Sequence, residues 1–280
     1  MINSKTYLTG LIGNPVEHSL SPEIHNFMFA ETKENGIYLA FKVEKENIKK
    51  SLEGMKSLGI KGFNVTIPHK EEVLSSLDFI SEEVKAIKAC NTIFNNDGKL
   101  EGYNTDYLGF LKTLEEEGFQ IEGKNIAVLG AGGASRAILL ALKNNKPSNV
   151  DIFNRSLDKA KNLIDEFEIK NSRAFLLTDF KNHSLKYDLI INTTSVGMGE
   201  LKDQSPIEEN VELKKEVILY DLIYNPSKTK FLEIGASSNL KIINGLDMLL
   251  YQAILSFQIW TKKEFDIKEM KAKLKLIGKI

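Results

Sequence analysis

The run Asn125-Ile126-Ala127-Val128-Leu129-Gly130-Ala131-Gly132-Gly133-Ala134-Ser135 decides the fold. Asn125 to Leu129 is short, apolar and β-branched, as a buried strand should be. Ala134 to Lys143 is rich in Ala and Leu and reads as a helix. Between them the glycines make a turn without side chains, so amide hydrogens at a helix N-terminus face outward, which suits a pyrophosphate. Taken alone, such a loop also suits a tight structural turn. The next strand, Asn149 to Phe153, leads into Asn154-Arg155-Ser156 and a helix from Leu157 to Phe167. NAD-specific folds carry an acidic residue at that strand end for the ribose hydroxyls. Here Arg155 can pair with a 2′-phosphate, and Asn154 and Ser156 can add hydrogen bonds, so the triplet fits NADP. A capped helix start with a solvated arginine is the other reading.

Outward from this unit the alternation continues. Asp188 to Asn192 and Val217 to Leu222 read as further strands; Tyr7 to Ile12, Ile37 to Lys42 and Gly62 to Val65 form an earlier series. Short apolar runs alternating with helical patterns argue for an α/β fold with parallel sheets. Ser21-Pro22-Glu23 reads as a serine cap followed by proline at the first helical position. A helix is expected from Lys45 to Leu58, stopping before Gly59, and another over Asn104 to Glu117. Near the end, Leu246, Leu249, Leu250, Ala253, Ile254 and Phe257 recur at helical spacing, and this amphipathic helix is expected to cross back and cover the first domain. At 280 residues, two domains are expected: 1–103 completed by 246–280, and 104–245.

Composition narrows the function. With 42% hydrophobic and 27% charged residues, the chain reads as an ordinary soluble globular protein. A formal net charge of −1 offers no broad basic surface, so neither nucleic acid nor an anionic membrane is an expected partner. No apolar run approaches the ~20 residues of a membrane span. Met1 to Gly10 shows no basic segment followed by an apolar stretch, so no signal peptide is expected. Cys90 is the one cysteine, which excludes an intramolecular disulfide and fits a reducing, cytoplasmic setting. Its expected role is that of a small buried apolar residue. His18, His25, His69 and His183 are scattered, so no metal site is expected, and His69 reads as structural.

Three polar clusters fall where an α/β fold puts its strand-end loops. In His18-Ser19-Leu20-Ser21-Pro22, two hydroxyls at a helix start can hold a carboxylate, aided by the helix dipole. Capping alone explains Ser21 but not Ser19. In Asn64-Val65-Thr66-Ile67-Pro68-His69-Lys70, Thr66 and Lys70 follow a strand that Pro68 ends. Asn91-Thr92 and Asn104-Thr105-Asp106 flank Asn95-Asn96-Asp97-Gly98, a turn that joins them through a hairpin. A lone Lys70 suits a solvated surface and a lone Asp106 suits a helix cap. Together they make a Lys–Asp pair able to manage the proton when a carbonyl and an alcohol interconvert, while a nicotinamide handles the hydride.

The combination resembles the shikimate dehydrogenase family. The resemblance rests on Gly13-Asn14-Pro15, His18 to Pro22, His25-Asn26, Asn64 to Lys70, Asn91-Thr92, Asn104-Thr105-Asp106, Gly130 to Ala134, Asn154-Arg155-Ser156, Asn192 to Met198, Asp221 to Pro226, and Gly245 to Leu249 with Gln252. These run in family order over nearly the whole chain. The resemblance implies an N-terminal α/β substrate domain, a Rossmann-like NADP-binding domain, and a C-terminal helix packing back on the first. It implies NADPH-dependent reduction of 3-dehydroshikimate to shikimate, a step in chorismate and aromatic amino acid biosynthesis. Lys70 and Asp106 would be the catalytic pair. Ser19 and Ser21 would bind the substrate carboxylate, with Thr66, Asn91, Tyr224 and Gln252 lining the rest of that site. Gly130, Ala131, Gly132, Gly133 and Ala134 would cradle the pyrophosphate; Asn154, Arg155 and Ser156 would meet the 2′-phosphate; Leu222 and Gly245 would lie near the nicotinamide. A homodimer is left as an open option. Two rivals remain: a quinate/shikimate dehydrogenase with broader substrate or cofactor use, and a non-catalytic NADP-sensing protein of the same fold, against which the joint presence of Lys70 and Asp106 argues. Three positions depart from the family pattern: Lys88 and Asp247 stand where glycine is frequent, and Ser156 where threonine is commoner.

Overall fold

A computed structural model describes residues 2–276. In chain order the strands are β1 (Tyr7–Gly13), β2 (Gly36–Lys42), β3 (Gly62–Val65), β4 (Phe79–Ile80), β5 (Thr92–Asn96), β6 (Lys99–Tyr103), β7 (Asn125–Leu129), β8 (Asn149–Asn154), β9 (Arg173–Leu176), β10 (Leu189–Asn192), β11 (Ile218–Asp221) and β12 (Lys241–Ile243). The α-helices are α1 (Ser21–Glu31), α2 (Ile48–Ser57), α3 (Glu82–Ile87), α4 (Asp106–Glu116), α5 (Gly133–Asn144), α6 (Leu157–Phe167), α7 (Lys230–Ser237), α8 (Leu246–Thr261) and α9 (Ile267–Lys275). The chain divides into two compact units, Met1–Gly109 with Leu250–Ile280, and Phe110–Leu249.

The first unit is built on a six-stranded sheet of order β2-β1-β3-β5-β6-β4. β1 runs parallel to β2 and β3, but β5 is antiparallel to both β3 and β6. The sheet is therefore mixed, not wholly parallel as the alternation implied. The reason is local: Asp97 and Gly98 both take positive φ (51° and 87°), which lets a two-residue turn fold β6 straight back on β5. α2 lays Ile48, Leu52 and Met55 on the core at i, i+4, i+7, with a short 3₁₀ turn at Lys45–Asn47 where the sequence implied helix. It stops where expected, at Gly59 with φ 64°.

α8 is apolar on most of its surface because most of it is buried. Its Leu250, Ala253, Ile254, Phe257 and Trp260 belong to the core, and Trp260 Nε1 donates to Ile93 O at 3.0 Å across the first sheet. Gly62 makes room for that indole: a Cβ there would stand 2.2 Å from Nε1. The C-terminal helix thus packs on the first unit's sheet, as the sequence led us to expect.

The second unit carries a six-stranded, all-parallel sheet of order β12-β11-β10-β7-β8-β9. Numbered from β7 as the first strand, this is the 3-2-1-4-5-6 order of a doubly wound dinucleotide fold, with its switch point between β7 and β10. β7, β8, β10 and β11 are buried on both faces, which explains why they read as unbroken apolar runs. α6 packs Ala160, Leu163 and Phe167 at i, i+3, i+7 and keeps its charged face outward. Among the described residues no helix is long and apolar enough to cross a membrane.

Candidate active site

Parallel pairing aligns the ends of β1 and β3, with Ile12 opposite Val65. The loops after them, carrying Ser19 and Ser21 and then Thr66 and Lys70, therefore leave the same end of the sheet. Antiparallel pairing brings the start of β5 and the end of β6 there too, since Asn64 faces Thr92 and Thr92 faces Tyr103. Asn91 and Asp106 follow from that register.

The side chains converge. Lys70 Nζ donates to Asp106 Oδ2 at 2.6 Å, and both groups are mostly buried. Asn91 Nδ2 donates to the other carboxylate oxygen, Oδ1, at 2.9 Å and to Thr105 Oγ1 at 2.9 Å. Gln252 Oε1 lies 3.4 Å from the same nitrogen. Asn91 Oδ1 accepts from Thr105 N at 2.8 Å, so the amide cannot flip without losing bonds on both sides. Asn104 Oδ1 caps α4 by accepting from Asp106 N and Tyr107 N. Asp106 thus sits at a capped helix N-terminus, where a carboxylate is favoured.

Behind this cluster lies a buried polar network that the sequence reading left without a role. Asn64 Nδ2 donates to Thr92 Oγ1 (3.1 Å) and Ser256 Oγ (3.0 Å), and Tyr38 OH donates to Asn64 Oδ1 (2.9 Å). Ser256 and Thr105 hydroxyls are 3.1 Å apart. The signal for Ser256 was present: it follows Gln252 by four residues, which puts two polar groups on one face of a mostly apolar helix. Cys90 is buried beside this cluster, its thiol donating to Thr92 O and pushed up to about 12 by burial. His69 is buried, its Nε2 bonded to Val43 O at 2.7 Å, which fits a structural role.

Ser21 is not the cap that the sequence implied. α1 opens on Ser21 itself, and Leu20 before it already has helical dihedrals. Leu20 holds the cap position without a side-chain bond, and Ser19 Oγ accepts from Ser21 N at 3.2 Å, a contact that does not use the Ser19 hydroxyl hydrogen. Ser21 is buried with its hydroxyl against the Tyr38 phenol. Thr66 is half-buried, its methyl directed at Gly13, where a Cβ would come within 2.3 Å. Tyr224 belongs to the second unit and is half-buried, just before the cis Asn225–Pro226 bond.

In the second unit Gly130 takes φ 111°, and a Cβ there would stand 2.7 Å from Thr193 Oγ1. Only glycine fits that turn. Gly132 precedes α5 with no side-chain cap, and a Cβ on it would meet nothing within 4 Å. A helix start without a side-chain cap, with Gly132 exposed between the half-buried Ala131, Gly133 and Ala134, fits a pyrophosphate. At the end of β8, Asn154 Nδ2 donates to Ser156 O at 2.9 Å, which shapes the triplet. Arg155 is exposed and borders a pocket of about 540 Å³ shared with Thr178 and Lys181. Leu222 and Gly245 touch: Gly245 N donates to Ile223 O, and a Cβ on Gly245 would stand 2.0 Å from Leu222 O. No group of three His, Cys, Asp or Glu among the described residues is placed to hold a metal.

Three family models match this chain: the shikimate dehydrogenase substrate binding domain over residues 11–93, shikimate / quinate 5-dehydrogenase over 113–227, and the shikimate 5′-dehydrogenase C-terminal domain over 245–275. The shikimate dehydrogenase (NADP(+)) of Caldanaerobacter subterraneus subsp. tengcongensis is 46% identical over 269 residues, 95% of each chain. The crystal structure of shikimate dehydrogenase from Aquifex aeolicus superposes with a TM-score of 0.89 at 38% identity, over 98% of this chain and 99% of that one. The Thermus thermophilus shikimate 5-dehydrogenase in complex with NADP(H) and shikimate gives a TM-score of 0.85 at 34% identity, over 95% and 97% of the two chains.

Proposed function

The chain belongs to the shikimate dehydrogenase family, and on that premise we propose that it interconverts shikimate and 3-dehydroshikimate, a step toward chorismate and the aromatic amino acids, with NADP as cofactor. The unit Met1–Gly109 with Leu250–Ile280, which holds Lys70, Asn91 and Asp106, is the substrate part, and Phe110–Leu249 is the cofactor part. A cytoplasmic setting suits dependence on the intracellular nicotinamide pool.

One observation carries the reading: Lys70 and Asp106 meet at 2.6 Å, with Asn91 fixing the second carboxylate oxygen. In reduction the Lys70 ammonium donates to the oxygen of the ketone as it gains negative charge; in oxidation Lys70 Nζ takes that proton back. Asp106 Oδ2 holds the ammonium in line, and Asn91 holds Asp106. Ser19 and Ser21 bind the ring carboxylate at the N-terminus of α1, where the helix dipole favours an anion. Thr66, Gln252 and Tyr224 contact the hydroxyls and the ring. When bound, NADP accepts the hydride in oxidation and NADPH returns it in reduction. Gly130 to Ala134 would hold its pyrophosphate, Asn154, Arg155 and Ser156 would hold its 2′-phosphate, and Leu222 and Gly245 would border its nicotinamide.

A second reading, broader use of quinate, is favoured by the family model over residues 113–227, whose description covers both substrates. The test compares kcat/KM for shikimate and quinate with NADP and NAD, followed by the absorbance of reduced nicotinamide. Shikimate with NADP should give the highest value. Comparable quinate turnover would favour the second reading, and no turnover of either substrate would overturn both.

A further inference from the structure

We propose that Asp221 is a positioning residue that locks the strand-end loops bordering the nicotinamide, an inference that rests on the cofactor reading above. Asp221 ends β11 and is fully buried. No cation lies within ion-pair distance of it among the described residues. Three donors converge instead: Thr229 Oγ1 on Oδ2 at 2.6 Å, and Ile223 N (3.0 Å) and Asn192 Nδ2 (3.1 Å) on Oδ1. Burial still pushes its carboxyl up to about 6. A buried carboxylate without a cation is an expensive way to fill space, and an apolar residue would serve packing better.

What the carboxylate supplies is connection, since its donors come from different segments. Asn192 ends β10, and its Oδ1 accepts from Thr194 N (3.0 Å) and Thr194 Oγ1 (2.7 Å), which shapes the loop that presses on Gly130. Ile223 carries the bond onward through its carbonyl to Gly245 N (3.0 Å), just before α8. Thr229 caps α7 through Leu232 N (3.3 Å). One side chain therefore sets where the Leu222 backbone stands relative to Gly245 and to the loop after β10. None of these contacts reaches Asn154, Arg155 or Ser156, so the effect is confined to one end of the cofactor.

That confinement gives the test. Asp221→Ala and Asp221→Asn are compared with wild type for kcat and KM of NADP, and for inhibition by adenosine 2′,5′-bisphosphate, which lacks the nicotinamide half. Asp221→Ala should lower kcat/KM for NADP by ~30-fold or more while the inhibition constant stays within about twofold. Asp221→Asn keeps one acceptor oxygen and should recover activity to within about fivefold of wild type. Equal weakening of NADP and the bisphosphate would mean general loosening of the unit and would overturn the proposal, as would unchanged NADP kinetics in Asp221→Ala. If Asp221→Ala does not fold, Thr229→Val, which removes one donor, replaces it under the same two criteria. Failure of wild type to oxidise shikimate with NADP would refute the underlying reading instead.

Discussion

His25 lies at the centre of the first unit with no exposed surface, stacked on Tyr38 at 4.2 Å between centroids and next to Trp260 at 5.1 Å. Burial pushes its imidazole down to about 3. The sign follows directly. Between the unfolded value of ~6.5 and about 3, the unfolded chain binds a proton that the folded chain refuses, so stability falls as pH drops through that window, by up to ~1.4 kcal/mol per pH unit. Its ring-proton NMR shifts should stay flat from about pH 8 to pH 5, whereas a titration midpoint near ~6.5 would contradict this environment. At this scale the sequence disclosed the charged groups Lys70, Asp106 and Arg155, and the buried amide of Asn91 beside them, because each stood in a motif with a chemical reason. It hid the buried polar residues, because nothing in the order of Tyr38, Asn64, Thr92 and Ser256 says that folding will bring their hydroxyls and amide together. Asp221 was hidden for the same reason, since its partners Asn192 and Thr229 lie 29 and 8 residues away.

Among the elements, the hairpin, the glycine turn and the four central strands of the second sheet were legible, because each has a local signature or is buried on both faces. β9 and β12 were not. Both are edge strands, partly exposed and bearing Arg173 or Lys241, so they lack an apolar run. The position at which Lys88 departs from the family's glycine has a backbone explanation. It is the C-cap of α3 in the left-handed region, φ 54° and ψ 34°, where a side chain is strained. Lys88→Gly should raise stability by about 1 kcal/mol in urea unfolding, without altering turnover. A loss of stability would show that the lysine side chain contributes more than its backbone strain costs.

Over the whole molecule, the proposed function assigns substrate and cofactor chemistry to different units, and on that proposal variants should divide accordingly. Arg155→Ala should raise KM for NADP by ~10-fold or more through loss of a charge-assisted bond to the 2′-phosphate, and leave KM for NAD within about twofold. Equal losses for both nucleotides would remove Arg155 as the phosphate reader. The central claim is that the proton moves through Lys70 held by Asp106. Its most direct measurement is shikimate-dependent NADPH formation by Lys70→Ala, with NADP affinity measured in parallel by fluorescence. We predict kcat reduced by roughly 10²- to 10⁴-fold with NADP affinity within about twofold of wild type. Turnover near the wild-type rate would contradict the account.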